Sequence, residues 1–338
     1  MARARAMHDV SFSTQPSARF KMKINHTDRG AVLSENAMFA SVSVSRFSNN
    51  VADALSTNQI LKRHKLKSGD ARSSKLLFPT SMPAKGCGVD VLKSYEAYRR
   101  ITKAESLIRK IHYKWTFEYG VGEGQSRGPR LLPVSASESY LREMHDAIEE
   151  FNDAVNSFAS NYTRHVAAQA VRLNGLFDVE HYGEAEDFAQ AHDAAVALQG
   201  LPSIEGINAG KFTDAYRDAE ADRQSQAVQD VGKAIADRLA VALRSLSQKL
   251  GEIGNAKSRF SDSHFDNLIE LVDEIVPACN IGKDERIDDL AREIKRLIGR
   301  AGNTASAMAN TVKAGSVVRD QIKSNSAALA DKATALFA

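Results

Sequence analysis

The chain has 338 residues, 43% of them hydrophobic and 26% charged, with 20 glycines and 7 prolines. That length suits two or three domains, and the composition excludes wholesale disorder and a collagen-like repeat. The formal net charge is +3, yet residues 1–135 hold 23 basic against 10 acidic groups and residues 136–338 hold 22 against 32, so the sum conceals halves of +13 and −10.

Residues 1–34 show no apolar periodicity and are rich in Ser, Thr, Asn and basic groups. Their composition is that of a flexible basic tail, and more faintly of an organelle transit peptide; no apolar core of a secretory signal follows Arg3 and Arg5. Ala40, Val42 and Val44 then alternate with Ser41, Ser43 and Ser45, which predicts a short strand with one apolar face. A helix is expected around Val51 to Lys65, and a clearer one from Asp90 to Ile111. In the latter Val91, Tyr95, Tyr98, Ile101, Ile108 and Ile111 fall at spacings of three, four and seven. Asp90 opens it and Arg109 and Lys110 close it, as the helix dipole favours.

Between Trp115 and Pro133, Gly120, Gly122, Gly124, Gly128 and Pro129 cannot sustain a helix and predict a loop or hairpin. Ser135 or Ser137 can cap a long helix beyond it, whose packing stripe is Leu141, Met144, Ile148, Phe151, Val155, Phe158 and Tyr162, with Gly175 as its stop. A shorter acidic helix around Glu184 to Leu198 leads to a hinge marked by Gly200, Pro202, Gly206 and Gly210. Val228, Val231, Ile235, Leu239, Ala242, Leu246 and Leu250 then form a second stripe ending at Gly251 and Gly254. A third helix, Leu268 to Val276, should break at Pro277, and a fourth carries Ile287, Leu290, Ile294 and Leu297. The last segment has a weak stripe of Met308, Val312, Val318, Ile322 and Leu329, and its many small residues permit either close packing or fraying.

These elements predict a mainly α protein, long helical hairpins or a bundle with a small strand-containing N-terminal region. The expected organisation is a basic tail over 1–34, a basic region with short strands and helices over 35–133, a helical hairpin over 134–205, and a helical C-terminal bundle over 206–338.

The chemical motifs are sparse. The Gly-rich stretch lacks the strand before and helix after that a dinucleotide cradle needs. Gly206 to Lys211 has one residue too few for a P-loop, with Phe212 where a magnesium-binding hydroxyl must stand. No two histidines are four apart, so the zinc-protease pair is missing, and His145 with Glu149 reads as a surface pair. His165 falls at or near the stripe of its helix and is expected to reach a hydrogen-bond partner. Cys87, between Gly86 and Gly88, has no neighbouring histidine to act as base, and Cys87 with Cys279 cannot make a disulfide framework. Acidic neighbours at Glu149–Glu150, Asp273–Glu274, Asp284–Glu285 and Asp288–Asp289 sit beside cations and read as solvated helix faces rather than magnesium ligands. The sequence therefore predicts no catalytic residue, cofactor or metal. An enzyme would need a site assembled from distant groups such as Cys87, His145 and Glu149.

The basic half is the most informative feature. Lys62, Arg63, His64, Lys65 and Lys67 form one cluster; Lys93, Arg99, Arg100, Lys103, Arg109 and Lys110 decorate the helix that carries Tyr95 and Tyr98. Such charge density suits phosphate contact, and interleaved aromatics could stack on unpaired DNA or RNA bases. The competing reading is that the two charged halves dock on each other, within one molecule or between copies.

From Trp115 onward the residue order is specific enough to compare. Trp115 closing a basic helix, a Gly-rich turn, Arg130-Leu131-Leu132-Pro133, then Tyr140, Met144, Phe151, Ala154-Val155, Phe158, Tyr162, Leu173 and Leu176-Phe177, resembles a phage and bacterial domain-of-unknown-function family, number 3150. The likeness runs over residues 38–210 and includes the strand Val42 to Phe47. The loop after Trp115 is longer than the family's, and Tyr113 and Lys114 stand where its Leu-Pro precede Trp. The resemblance implies a phage or mobile-element protein with no catalytic residue to carry over, and, by gene neighbourhood, an adaptor or substrate of a MoxR-type AAA+ ATPase; the lack of a secretion signal and the two cysteines make the cytoplasm of the bacterial host the expected compartment. The expectation is a non-enzymatic, oligomeric interaction protein whose partner is itself or another protein and not a membrane. The alternative is sequence-independent nucleic-acid binding through the basic half.

Overall fold

The computed structural model describes residues 29–52, 62, 74–119, 130–201, 213–254, 260–302 and 304–337. The protein is mainly helical, with a small antiparallel sheet. In chain order the elements are α1 (Arg29–Asn36), β1 (Ala37–Ser45), β2 (Asn50–Ala52), β3 (Ser74–Leu76), α2 (Val89–Trp115), β4 (Phe117–Glu118), β5 (Arg130–Pro133), α3 (Ser137–Ala159), α4 (Tyr162–Leu173), α5 (Ala185–Gln190), β6 (Asp193–Gly200), α6 (Thr213–Gly251), α7 (Ser263–Glu270), α8 (Val276–Cys279), α9 (Glu285–Gly299), α10 (Ala305–Ala314) and α11 (Ser316–Ala335).

The alternating Ser/Val segment forms β1, with Val42 and Val44 half-buried and Ser41, Ser43 and Ser45 exposed. It lies inside a four-stranded antiparallel sheet of order β4-β5-β1-β6. On one side Ala37 to Ala40 pair with Pro133 to Arg130; on the other, Met38 to Ser45 pair with Gly200 to Asp193. Strand β6 corrects the helix expected over Glu184 to Leu198. The helix stops at Gln190, and His192 turns its ring nitrogen to the Phe188 carbonyl at 2.7 Å. The following Ala-rich segment then pairs along β1, with Val196 opposite Val42. The sheet is accordingly not confined to the N-terminal region, since its edge strand comes from residues 193–200.

Three further expectations change. Val51 and Ala52 belong to β2, not to a helix; of the remainder of that segment, residues 53–61 and 63–65 lie outside the described residues. Residues 29–34, read as tail, enter α1, where Leu33 is fully buried and supplies the core contact that the polar composition hid. The helix expected to run from Ser137 to Gly175 breaks at Ser160 and Asn161. Asn174, rather than Gly175, takes the positive φ of 48° at the end of α4. Neither serine caps α3 through its side chain. Ser135 Oγ donates to the Ala278 carbonyl at 2.5 Å, and Ser137 Oγ to the Val134 carbonyl at 2.7 Å.

Around β1 the core is aromatic. Phe78, fully buried, has the rings of Tyr98, Phe158, Tyr162, Tyr182 and Phe188 within 6.0 Å of its own. Asn49 holds it there, donating to the Phe78 carbonyl at 2.8 Å and accepting from its N–H at 2.6 Å. Edge-to-face ring pairs of this kind add about 0.5–1.5 kcal/mol each beyond area burial.

The C-terminal part is organised by the 39-residue α6. Val228, Val231, Ile235, Leu239, Leu246 and Leu250 are buried as one stripe; Leu243, fully buried, takes the central place and Ala242 lies half-buried beside it. Helix α11 packs antiparallel to α6, with Arg244 donating to Thr334 Oγ1 and Ser247 to the Lys323 carbonyl. The small residues of the last segment serve close packing here: Ser326, Ala330 and Ala333 are buried, and a Cβ on Gly232 would stand 3.0 Å from the Phe337 ring. Pro277 does not break its helix. A π-helical turn, Leu271–Ile275, sends the Val276 N–H to the Leu271 carbonyl, so the chain reaches the proline with a shifted ladder and ends only after Cys279.

Candidate interaction surface

Helices α2 and α3 pack antiparallel. His112 meets Tyr140 at 3.1 Å and Lys114 meets Glu143 at 2.9 Å near one end, while the Tyr98 and Phe158 rings meet at 5.8 Å near the other. Each helix turns a charged arc away from this shared seam.

On α2, Lys93, Arg99, Arg100, Lys103, Arg109 and Lys110 are all exposed, with Glu96 as the one acid among them. Arg109 pairs with Glu105 at 3.1 Å, and Arg99 lies over the Tyr95 ring at 5.9 Å. Among the described residues, Lys93, Arg100, Lys103 and Lys110 have no carboxylate partner. From Lys93 to Lys110 the row spans roughly 26 Å at the helical rise. Lys62 is also exposed; Arg63, Lys65 and Lys67 lie outside the described residues.

The aromatic part of the nucleic-acid reading is corrected. Tyr95 and Tyr98 are buried at 7% and 3% exposure, so neither offers a ring for a base to stack on. Their spacing of three along α2 places them on its core face, a use that the sequence pattern already permitted.

On α3 the buried residues are Tyr140, Met144, Ala147, Phe151, Ala154, Val155 and Phe158. Leu141, placed in the packing stripe from sequence, is 44% exposed, because Tyr140 fills the core in its stead; Ile148 is half-buried at the margin, with Ala147 buried before it. Met144, Phe151, Val155 and Phe158 sit in the core, as does Tyr162 at the start of α4. The opposite arc exposes Glu138, Asp146, Glu149, Glu150 and Asp153 against Arg142 and His145. His145 and Glu149 form an exposed pair at 3.4 Å. From sequence, Glu149 and Glu150 read as a solvated helix face. The signal missed there is the spacing of Asp146, Glu149 and Asp153, which puts three carboxylates on one arc.

His112, His165, His192 and Cys279 are buried in the core. His112 is buried, and burial, followed by the charge of Arg130, lowers its pKa to about 4. His165 stacks on Phe158 at 4.3 Å, and burial lowers its pKa, as it does that of His192. Cys279 is fully buried and its thiol is pushed up to about 12 by that burial. Among the described residues no group of three or more His, Cys, Asp and Glu could hold a metal ion. A cleft of about 460 Å³ between α8 and α9 is lined by Ser135, Asn280, Lys283, Arg292 and Lys295, with none of Cys87, His145 or Glu149 in its wall. Two of its cations are matched: Arg292 pairs with Asp289, and Lys295 with Asp273 at 2.6 Å. No helix among the described residues is long and apolar enough to cross a membrane.

Comparison of the chain with protein-family models, curated proteins and solved structures finds no match.

Proposed function

We propose that this chain is a non-enzymatic interaction protein, a scaffold of long helical hairpins or a bundle that engages its partner through the charged arcs of α2 and α3. One observation carries the reading: among the described residues four cations on α2 stand without a carboxylate partner, beside an α3 whose exposed arc is predominantly acidic. Solvated helix faces usually mix charge signs and satisfy them locally through i,i+4 pairs. Segregation over two adjoining helices instead favours electrostatic recognition of another macromolecule.

A phage or mobile-element origin and an adaptor role beside an AAA+ ATPase belong to the same proposal and rest on the resemblance carried by the strand Val42 to Phe47 and the residue order from Trp115 to Phe177. The second reading, nucleic-acid binding, is supported by the basic row on α2 and weakened by the burial of Tyr95 and Tyr98.

The test reverses the charge of the basic row in the full chain with K93E, R100E, K103E and K110E. Associations of the wild-type protein with itself, with an added protein and with single- and double-stranded oligonucleotides are then compared. Loss of an association on reversal supports the reading. A variant that keeps every association of the wild type removes it.

A further inference from the structure

The partner that the two arcs fit best is a second copy of this chain. We infer that α2 and α3 form a twofold self-association surface, with the basic arc of each copy seated on the acidic arc of the other. This deepens the interaction reading given above and rests on it.

The argument starts from symmetry. An isologous interface requires that residue i meeting residue j imply j meeting i, so a self-complementary surface must carry both signs side by side. The antiparallel pair α2 and α3 does so. Lys93, Arg100, Lys103 and Lys110 face outward on one helix and Asp146, Glu149, Glu150 and Asp153 on its neighbour. A twofold axis laid along the seam between the helices carries α2 of one copy over α3 of the other, and the reverse contact follows from the same rotation. Both contacts bring predominantly unlike charges together, with Glu96 on the basic arc and Arg142 on the acidic arc as the minority signs.

A nucleic acid fits the surface less well. A phosphate backbone laid on α2 would lie beside the carboxylates of α3 and be repelled by them, and Tyr95 and Tyr98, the rings interleaved with the cations, are turned into the core. A helix pair also matches the acidic row in length. The carboxylates from Asp146 to Asp153 span roughly 10 Å, and with Glu138 roughly 22 Å, against roughly 26 Å for the cations.

The experiment is sedimentation velocity on the full chain at low ionic strength and again at about 1 M salt, where the screening length falls to about 3 Å. The expected result is a species of twice the 36.9 kDa chain mass at low salt and of one chain mass at high salt. Two variants are then used: one carrying R100E, K103E and K110E, the other carrying D146K, E149K and D153K. Each alone has two arcs weighted toward one sign and should sediment as a monomer. Mixed in equal amounts they should restore the double-mass species, because both contacts of the mixed pair are again complementary. All the substituted residues are exposed, and unchanged circular dichroism and urea midpoints establish that the variants fold.

A wild-type monomer at low salt overturns the inference, as does a dimer indifferent to both variants or a mixture that stays monomeric. A wild-type monomer that shifts an oligonucleotide, with the shift lost on reversal of α2, overturns it in favour of nucleic acid. In that outcome the broader reading of α2 as an interaction surface survives while the second copy does not. Failure of every association to respond to reversal removes both.

Discussion

The guanidinium of Arg238, on α6, lies 4.4 Å from the centre of the Phe117 ring on β4. From that position it donates to the carbonyls of Tyr113 at 3.0 Å, Lys114 at 2.8 Å and Thr116 at 3.1 Å. The last carbonyls of α2, which have no partner within their own helix, are thereby satisfied from a residue more than 120 positions away. Lys114 adds a second tie, reaching Glu143 on α3 and Glu270 on α7. The C-terminus of α2 is thus one of the places where the sheet-bearing part and the α6 part are joined, beside α1 on α6 and Ser135 on the Ala278 carbonyl. Arg238→Ala removes the donor to the exposed Tyr113 and part-buried Lys114 carbonyls, leaves Thr116 with Arg130 as its remaining donor, and removes the ring contact, with an expected loss of about 1–3 kcal/mol. Arg244→Ala, which removes a half-exposed contact with Thr334 and Asp331 on α11, should cost about 1 kcal/mol or less. Urea midpoints of the two variants check the difference, and equal shifts would remove the joining role assigned to Arg238.

Acid should loosen the protein before its carboxylates titrate. His112, His165 and His192 are buried, each with its pKa lowered first by burial, His112 to about 4. An unfolded histidine titrates near about 6.5, so below that pH the unfolded chain binds protons that the folded one refuses. Stability is therefore full above about 6.5 and falls as the pH drops toward about 4, by about 3 kcal/mol for His112. His112→Gln retains a group able to meet the Tyr140 hydroxyl, which stands 3.1 Å from the His112 ring, and binds no proton. It should flatten the slope of unfolding free energy against pH by up to about 1.4 kcal/mol per unit in that window. Urea titrations between about pH 7 and about pH 5 read the slope; an unchanged slope would exclude His112 as its source.

Local periodicity made much of this fold legible, and its failures share a cause. The stripes of α2, α6 and α9 could be read because apolar spacing along one helix reports which side is buried, and Val91, Leu239 and Ile294 are buried accordingly. Strand β6 could not be read that way. Its Ala- and Leu-containing sequence suits a helix, and only pairing with β1, some 150 residues earlier, makes it a strand. Pro277 is a similar case, since the π turn that admits it is a backbone adjustment with no residue signature. For the candidate surface, the cations of α2 were visible as a cluster. That α3 lies beside them with the opposite charge is a tertiary fact, established through contacts such as Lys114 with Glu143.

The seam between α6 and α11 depends on small side chains. Ser326 and Ala330 are fully buried and Ala333 nearly so, which lets the two helices approach closely. Ala330→Met inserts volume where none is free and should cost about 1–3 kcal/mol through displaced rotamers or a shifted helix. Val241→Ala, at a residue 65% exposed on α6, should stay within about 0.5 kcal/mol. Thermal or urea unfolding of both separates packing at the seam from general sensitivity of the helix; a tolerated methionine at position 330 would mean that the seam is loose.

The two cysteines should differ sharply toward a thiol reagent. Cys87 lies partly exposed in the turn before α2, whereas Cys279 is fully buried at the end of α8, its thiolate disfavoured by the surrounding apolar groups. Reaction requires both access and the thiolate form, and Cys279 lacks both in the folded state. Native protein treated with a disulfide reagent should release one equivalent quickly and the second only on unfolding. Cys87→Ser should abolish the fast phase and leave the slow one. The slow phase then reports unfolding, so its rate in Arg238→Ala should rise, because that variant weakens the contact between α2 and α6. A fast second equivalent in the wild-type protein would show that α8 opens without global unfolding.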